Sequence, residues 1–382
     1  MKADREPQAR LKSLCIQGFK SIENQSLDLT DLDVLIGPNG AGKSNLIGFL
    51  RMVGFMLSSE HGLANFVGRA GGASALLHDG PKQTREIEAR LSIATQLGTN
   101  DYEFRLGHAS GDSLIFLEER CRFSSSGKGA PNPRWIDLGS GGKFPQLIKA
   151  SEDATGKTKK TVLRLLQGLS VYQFHDTSDE APMKQRASLE DSRYLRGDGR
   201  NLASFLLKMR EHDNEYYQRI VETIRLIAPF FDDFVLEPEF GKVLLCWREV
   251  RSGITFGPGQ ISDGTLRVIA LLTLLLQSPR TMPPIIVLDE PELGLHPFAV
   301  RIVAGAIKAA SKTHQCLVAT QSPALLNEFE TSNIIVVERK GRSSEFRRLK
   351  PDDLAQWVSE YDLSDLWDMN LLGGRPEPMA AE

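Results

Sequence analysis

The chain has 382 residues, 41% hydrophobic and 25% charged, an ordinary globular balance that excludes wholesale disorder, a coiled-coil rod and a collagen-like chain. A net charge of -3 gives no global basic signal, so a nucleic-acid surface would have to be a local patch. The lone cysteines Cys15, Cys121, Cys246 and Cys316 show no spacing for disulfides or zinc, the first residues lack the apolar core of a leader, and the apolar run at 268–276 is too short to span a bilayer, so a cytoplasmic protein is expected.

In chain order, apolar patterning predicts a hairpin with strands at 11–16 and 26–29 around a turn at 18–21, then a short buried strand at 34–36. A glycine-rich turn follows. Beyond it Leu46, Ile47, Phe49, Leu50, Val53 and Leu57 recur at helical spacing over 44–57. Strands at 87–93, 102–106 and 114–123 read as an antiparallel meander, an appended sheet rather than a second core. The Ser/Gly/Pro-rich stretch 124–142 and the charged stretch 151–160 read as exposed loops. Between 201 and 231 the spacing predicts two helices in an insertion, and no heptad run is long enough for a coiled-coil arm. The last third alternates helix 264–277, strand 285–288, helix 297–311, and strands 316–319 and 334–337. After Lys350 an acidic segment with Trp357 and Trp367 leads into a loose tail.

Between the strand at 34–36 and its helix, Gly37-Pro38-Asn39-Gly40-Ala41-Gly42-Lys43-Ser44 fits GxxxxGK[ST]. Glycines let the backbone curl so that its N–H groups face phosphates, and the helix N-terminus adds partial positive charge. Lys43 would reach the β/γ-phosphates and Ser44 would offer its hydroxyl to Mg²⁺. A glycine turn with a stray lysine is the bland reading, which the strand and helix on either side disfavour. At 285–290 four apolar residues run into Asp289 and Glu290, as in a buried parallel strand whose C-terminal edge faces the phosphate loop. Asp289 would lie near the magnesium, and Glu290 could accept a proton from the attacking water.

The segment Ile261-Ser262-Asp263-Gly264-Thr265-Leu266-Arg267 opens a helix shortly before that strand. Ser262 is either a plain N-cap or part of a second phosphate-holding helix terminus. His296, and His175 with Asp176, lack partners at ligand spacing, so no metal beyond Mg²⁺ is expected. Basic residues cluster as Lys157, Lys159, Lys160 and Arg164; as Arg193, Arg196 and Arg200; and as Arg339, Lys340, Arg342, Arg347, Arg348 and Lys350. Each is a solvated face or a DNA contact.

This motif set resembles the ATP-binding-cassette ATPases, and within them the RecF/SMC-like heads, including the ATPases related to the ATPase part of OLD nucleases. Leu14-Cys15-Ile16-Gln17-Gly18-Phe19-Lys20-Ser21 looks like the strand-turn that opens those heads. Residues 37–44 match their Walker A, 261–267 their signature loop, 289–292 their Walker B with its glutamate, and 293–297 their D-loop. The resemblance is strong over about 11–50 and 255–340 and thin between. It implies an α/β P-loop NTPase of ABC-head type, with a mostly parallel core sheet, an antiparallel β subdomain and a helical insertion. The chain would be one composite head. Its parts would be a Walker A lobe at 1–180, a helical insertion at 181–255, a signature and Walker B lobe at 256–350, and a C-terminal segment at 351–382.

By the same resemblance, ATP and Mg²⁺ are the cofactors. Asn39, Gly40, Ala41, Gly42, Lys43, Ser44 and Asn45 would hold one face of the nucleotide, and Ser262 and Gly264 of a second chain the other, in a head-to-tail homodimer. Ser44 and Asp289 would take the metal and Glu290 would be the catalytic base. Gln321 stands at the switch position where many relatives carry histidine, and would sense the γ-phosphate through a neutral amide. Gln173 is the candidate for the Q-loop metal ligand, a surface loop being the other reading of 172–176. The function implied is Mg²⁺-dependent ATP hydrolysis that opens and closes a head dimer in DNA repair, DNA maintenance or antiphage defence. The alternative is an ATP-dependent switch that recruits a protein effector without touching DNA. No substantial segment follows Val337 apart from the acidic one, so any nuclease activity is expected from another chain. A membrane partner is not expected, because the opening strand-turn and the long middle insertion are unlike transporter cassettes.

Overall fold

The computed structural model describes residues 9–127, 133–152, 156–350 and 361–373. The hairpin β1 (Arg10–Phe19) and β2 (Ile22–Asp28) leads to β3 (Leu32–Ile36), α1 (Lys43–Ser58) and α2 (Gly62–Arg69). Then come β4 (Glu86–Thr95), β5 (Gly98–Ala109), β6 (Ser113–Ser125), β7 (Ile136–Gly139), α3 (Gln146–Ala150), α4 (Lys157–Gln167), β8 (Leu169–Tyr172) and β9 (Ala187–Ser188). The middle holds α5 (Leu202–His212), α6 (Asn214–Ile227), β10 (Phe231–Val235), β11 (Lys242–Val243), β12 (Cys246–Glu249) and β13 (Thr255–Phe256). The last part runs α7 (Asp263–Leu276), β14 (Ile285–Asp289), α8 (Pro297–Ser311), β15 (Gln315–Thr320), α9 (Pro323–Leu326), β16 (Ile334–Lys340) and β17 (Ser343–Arg348), with a further helix at Leu363–Asp368.

The central sheet has the order β17-β16-β3-β15-β14-β8, parallel throughout except for β17 at its edge. Its inner strands are buried on both faces, which is why β3, β14 and β15 read as unbroken apolar runs rather than alternating ones. The pleat sends alternate residues to opposite cores. Val34, Ile286, Leu288, Val318 and Val336 join α5, α6, α7 and α8 on one side. Leu35, Val287, Leu317 and Val337 meet α1, α4 and the second sheet on the other.

That second sheet, β2-β1-β4-β5-β6-β7, is antiparallel. It corrects the expectation of an appended layer. Phe49 of α1 packs edge-on to Phe19 at 5.4 Å and stacks on Phe104 at 6.5 Å, so helix and sheet share a single core.

Three local readings also change. The hairpin turn is tighter than 18–21, since Phe19 still pairs with Ile22 and only Lys20 and Ser21 turn, Lys20 with φ 48°. The stretch 124–142 contains β7, preceded by Trp135, whose ring lies 4.6 Å from the Arg120 guanidinium and 4.5 Å from that of Arg122. The stretch 151–160 contains the polar first turn of α4, whose apolar residues Val162, Leu165 and Leu166 become buried only later in the helix. The acidic run with Trp357 and the tail beyond Gly373 lie outside the described residues. Among those described, no helix is long and apolar enough to cross a membrane, and all four cysteines are free thiols.

Candidate functional site

Because β3, β8, β14 and β15 are parallel neighbours, their C-terminal ends share one edge of the sheet. The register sets Ile36 beside Thr320, Asp289 beside Ala319 and Tyr172 beside Leu288. The loops that leave these ends carry Gly37 to Ser44, Gln173, Glu290 and Gln321, and in an open parallel sheet that crevice is where ligands bind.

The glycine loop is braced from two distant parts of the chain. Ser344 of β17 donates to Ala41 O at 2.5 Å and shares a 2.6 Å hydrogen bond with Ser21 of the β1–β2 turn. Ser21 in turn accepts from Asn45 Nδ2 at 2.6 Å. The hairpin motif therefore acts through Ser21, which ties the first helical turn to the sheet edge. Gly42 precedes α1 with φ 121°, and a Cβ there would lie 2.1 Å from Ser344 Oγ. Only glycine fits that conformation and that space. Arg339 donates to Gly40 O at 3.3 Å.

Lys43 is 5% exposed, and its ammonium donates to the carbonyls of Gly37 and Pro38. Burial lowers its pKa against the opposing pull of Glu290, Asp289 and Glu292. Asn39, Gly40 and Ser44 are exposed around it, while Ala41 and Gly42 are buried.

On the acidic side, Asp289 is 8% exposed and its carboxylate accepts from Gln173 Nε2, while its backbone carbonyl lies 2.8 Å from the His175 ring. Gln173 Oε1 accepts from Arg51 at 2.6 Å. Gln173, whose sequence context left a surface loop equally open, thus sits against Asp289. Glu290 ends the strand by turning left-handed, with φ 46°, its N–H donating to Ala319 O at 2.8 Å. A non-glycine residue in that region costs about 1 kcal/mol. The carboxylate of Glu290 accepts from Gln321 Nε2 at 2.9 Å. Glu292 accepts from Thr320 Oγ1 at 2.5 Å, its second oxygen is buried without a partner, and burial raises its pKa.

The donor set fits magnesium. Ser44 hydroxyl, Asp289 carboxylate and Gln173 amide are hard oxygen groups, and the carboxylates of Asp289, Glu290 and Glu292 face Lys43 within electrostatic reach. Among the described residues, no three His, Cys, Asp or Glu side chains, at this site or elsewhere, group closely enough to hold a metal by themselves. His296 instead caps α8, its ring accepting from Phe298 N at 3.3 Å.

Ser262 is an exposed N-cap of α7, accepting from Thr265 N at 3.2 Å. Gly264 lies so close to the loop after β14 that a Cβ would come within 2.8 Å of Gly294 O. Arg267 spans the gap. It donates to Phe174 O at 3.2 Å, His175 O at 2.9 Å and Leu293 O at 3.0 Å, joining the start of α7 to the loops that follow β8 and β14. Arg267→Ala is expected to lower stability by about 2 kcal/mol, since two half-buried carbonyls, of Phe174 and His175, and the exposed one of Leu293 lose a charged donor. It should also slow ATP turnover about tenfold while leaving nucleotide affinity at Lys43 intact. Unchanged melting temperature and turnover would remove Arg267 as a tie.

Sequence reasoning missed Arg51, Thr320 and Ser344, placed Arg339 only in a basic cluster and not against the glycine loop, and gave Glu292 no role. Arg51 carried a signal, being the only charged residue in α1 after Lys43. Ser344 lies on the edge strand, 323 residues from Ser21, and carried none.

The basic clusters differ. Arg196 pairs with Asp191, Arg200 with Asp198, Lys340 with Glu345, Arg342 with Asp79 and Arg348 with Asp33. Lys157 and Lys160 of α4 are exposed and pair with no acid among the described residues.

A family model described as "AAA domain, putative AbiEii toxin, Type IV TA system" matches residues 34–327. The Old nuclease of Escherichia phage P2 is 22% identical over 93% of this chain, and the chain spans 65% of that protein's length. Among solved structures, an SMC head bound to the C-terminal winged-helix domain of ScpA matches with a TM-score of 0.57 at 19% identity, over 91% of this chain and 99% of that one. A second SMC head with an extended coiled coil, bound to a ScpA C-terminal domain derived from Pyrococcus furiosus, matches at 0.57 and 14% identity over 92% and 99%. At these identities the structural likeness shows the fold, an ABC-type ATPase head.

Proposed function

The chain belongs to this AAA-domain family and is a P-loop ATP hydrolase of SMC/RecF-like type related to OLD proteins, and from that premise we propose a Mg²⁺-dependent switch in which ATP joins two heads and hydrolysis releases them. Asn39 to Asn45 wrap the phosphates of one nucleotide, with Lys43 against the β/γ-phosphates. Ser44, Asp289 and Gln173 would hold the metal, which would offset the charge of the phosphate oxygens. Glu290 takes the proton from the attacking water, and Gln321 orients Glu290 and the γ-phosphate without a titrating ring. Ser262 and Gly264 serve the nucleotide of a second, head-to-tail chain.

What supports this reading is the shared edge at which the ends of β3, β8, β14 and β15 carry Lys43, Gln173, Asp289, Glu290 and Gln321. The exposed Ser262, whose hydroxyl bonds only within the first turn of its own helix, is free to meet another chain.

The cargo of the switch is DNA or a partner effector. A relative named as a nuclease favours DNA, reached through the α4 lysines. The ion pairs that engage Arg196, Arg200, Lys340, Arg342 and Arg348 of the other two basic clusters favour the protein-recruiting reading. Mobility shift with the Glu290→Gln form separates them: under the DNA reading, duplex affinity rises with ATP and falls steeply with salt as counterions are released. Salt-insensitive binding, or none in the ATP-bound form, would leave the protein effector.

A further inference from the structure

Gln173 is held at both ends of its side-chain amide, by Asp289 on one side and by Arg51 at 2.6 Å on the other. Chemistry alone fixes which end is which. An arginine offers only donors and an ionised carboxylate only acceptors, so the amide oxygen must face Arg51 and the amide nitrogen must face Asp289. A glutamine ligates a hard cation through its oxygen. In this arrangement that oxygen is turned away from Asp289, and an oxygen of Asp289 is itself engaged by the amide N–H.

We propose that Arg51 is a positioning residue that latches Gln173 in an orientation incompatible with metal ligation, so that Mg²⁺ binding requires the amide to turn over and leave the guanidinium. This rests on the assignment of Asp289 and Gln173 to the metal site. Arg51 is half-buried in α1 and feels the charge of Asp289, so it has little water to turn to when the amide departs. Metal binding therefore works against two hydrogen bonds at once, and the latch sets a threshold for loading. It also links loading to the segment 173–177, whose Phe174 and His175 carbonyls are held by Arg267. Release of Gln173 would thus be felt at the start of α7.

The test is Mn²⁺ binding, read by electron paramagnetic resonance on the full chain with a non-hydrolysable ATP analogue. Arg51→Met keeps length and apolar packing but removes the donor, and is expected to tighten Mn²⁺ binding about tenfold, the equivalent of one charge-assisted hydrogen bond. The same substitution in a Gln173→Ala background is expected to give a clearly smaller gain, only that from removing a positive charge beside Asp289, because the latch acts through that amide. Arg51→Lys, which retains charge and a single donor, should fall between, and it carries the test if the methionine form fails to fold. Weaker or unchanged Mn²⁺ affinity in the single variants, or an equal gain in the Gln173→Ala background, would overturn the latch. Absence of Mn²⁺ binding by the wild-type chain with the analogue would instead refute the metal site itself.

Discussion

Replacing Lys43 by alanine is expected to abolish tight ATP binding. Lys43 is 5% exposed, and Glu290, Asp289 and Glu292 all lie within its electrostatic reach. Without it, the β- and γ-phosphates would enter a water-poor crevice facing carboxylates and no cation from the loop. Removing one partner of such a desolvated charge pair costs about 3 kcal/mol, roughly a hundredfold in Kd. The fold should survive, because Lys43 is the first residue of α1 and its hydrogen bonds go to its own loop. Calorimetric titration with ATP reads the change, and an unchanged affinity would remove the phosphate-loop assignment.

The second large effect concerns Glu290. Its left-handed backbone and its contact with Gln321 hold the carboxylate at the end of the Walker B strand. Glu290→Gln keeps the shape and still offers an oxygen to the Gln321 amide, but cannot take a proton. Nucleotide binding should persist while hydrolysis falls by about two orders of magnitude or more. The ATP-bound form should then accumulate as a dimer. Light scattering that finds the same monomer with and without Mg-ATP would contradict the sandwich.

Elements whose signal is local were legible in the sequence. The loop from Gly37 to Ser44, the apolar strand into Asp289, and α1, α7 and α8 could be read because buried parallel strands and amphipathic helices leave continuous or periodic apolar marks. The surroundings of the loop were not legible. Ser21, Asn45 and Ser344 meet through tertiary contacts across the whole chain, and isolated serines carry no pattern. Gln173 was ambiguous for the same reason, since its meaning comes from β8 pairing beside β14. The appended-sheet reading failed because alternation shows that a strand has one buried face without showing what covers it. Here the cover is α1, through Phe49.

The central claim is that each ATP is shared between two chains, and complementation by subunit mixing tests it most directly. A Lys43→Ala chain and a Ser262→Arg chain should each be inactive alone, because each homodimer carries a lesion at both of its sites. In a mixed dimer both lesions fall on the same site and the other is whole. With free exchange half the dimers are mixed and each has one working site, so roughly a quarter of wild-type ATPase activity should return. Placing both lesions in one chain and mixing it with wild type damages both sites of the mixed dimer, so that mixture should fall below the activity of its residual wild-type dimers plus one intact site per hybrid. No recovery in the first mixture despite demonstrated exchange, together with a fully active site in the hybrids of the second, would mean that Ser262 serves its own chain's nucleotide and that the shared site is wrong.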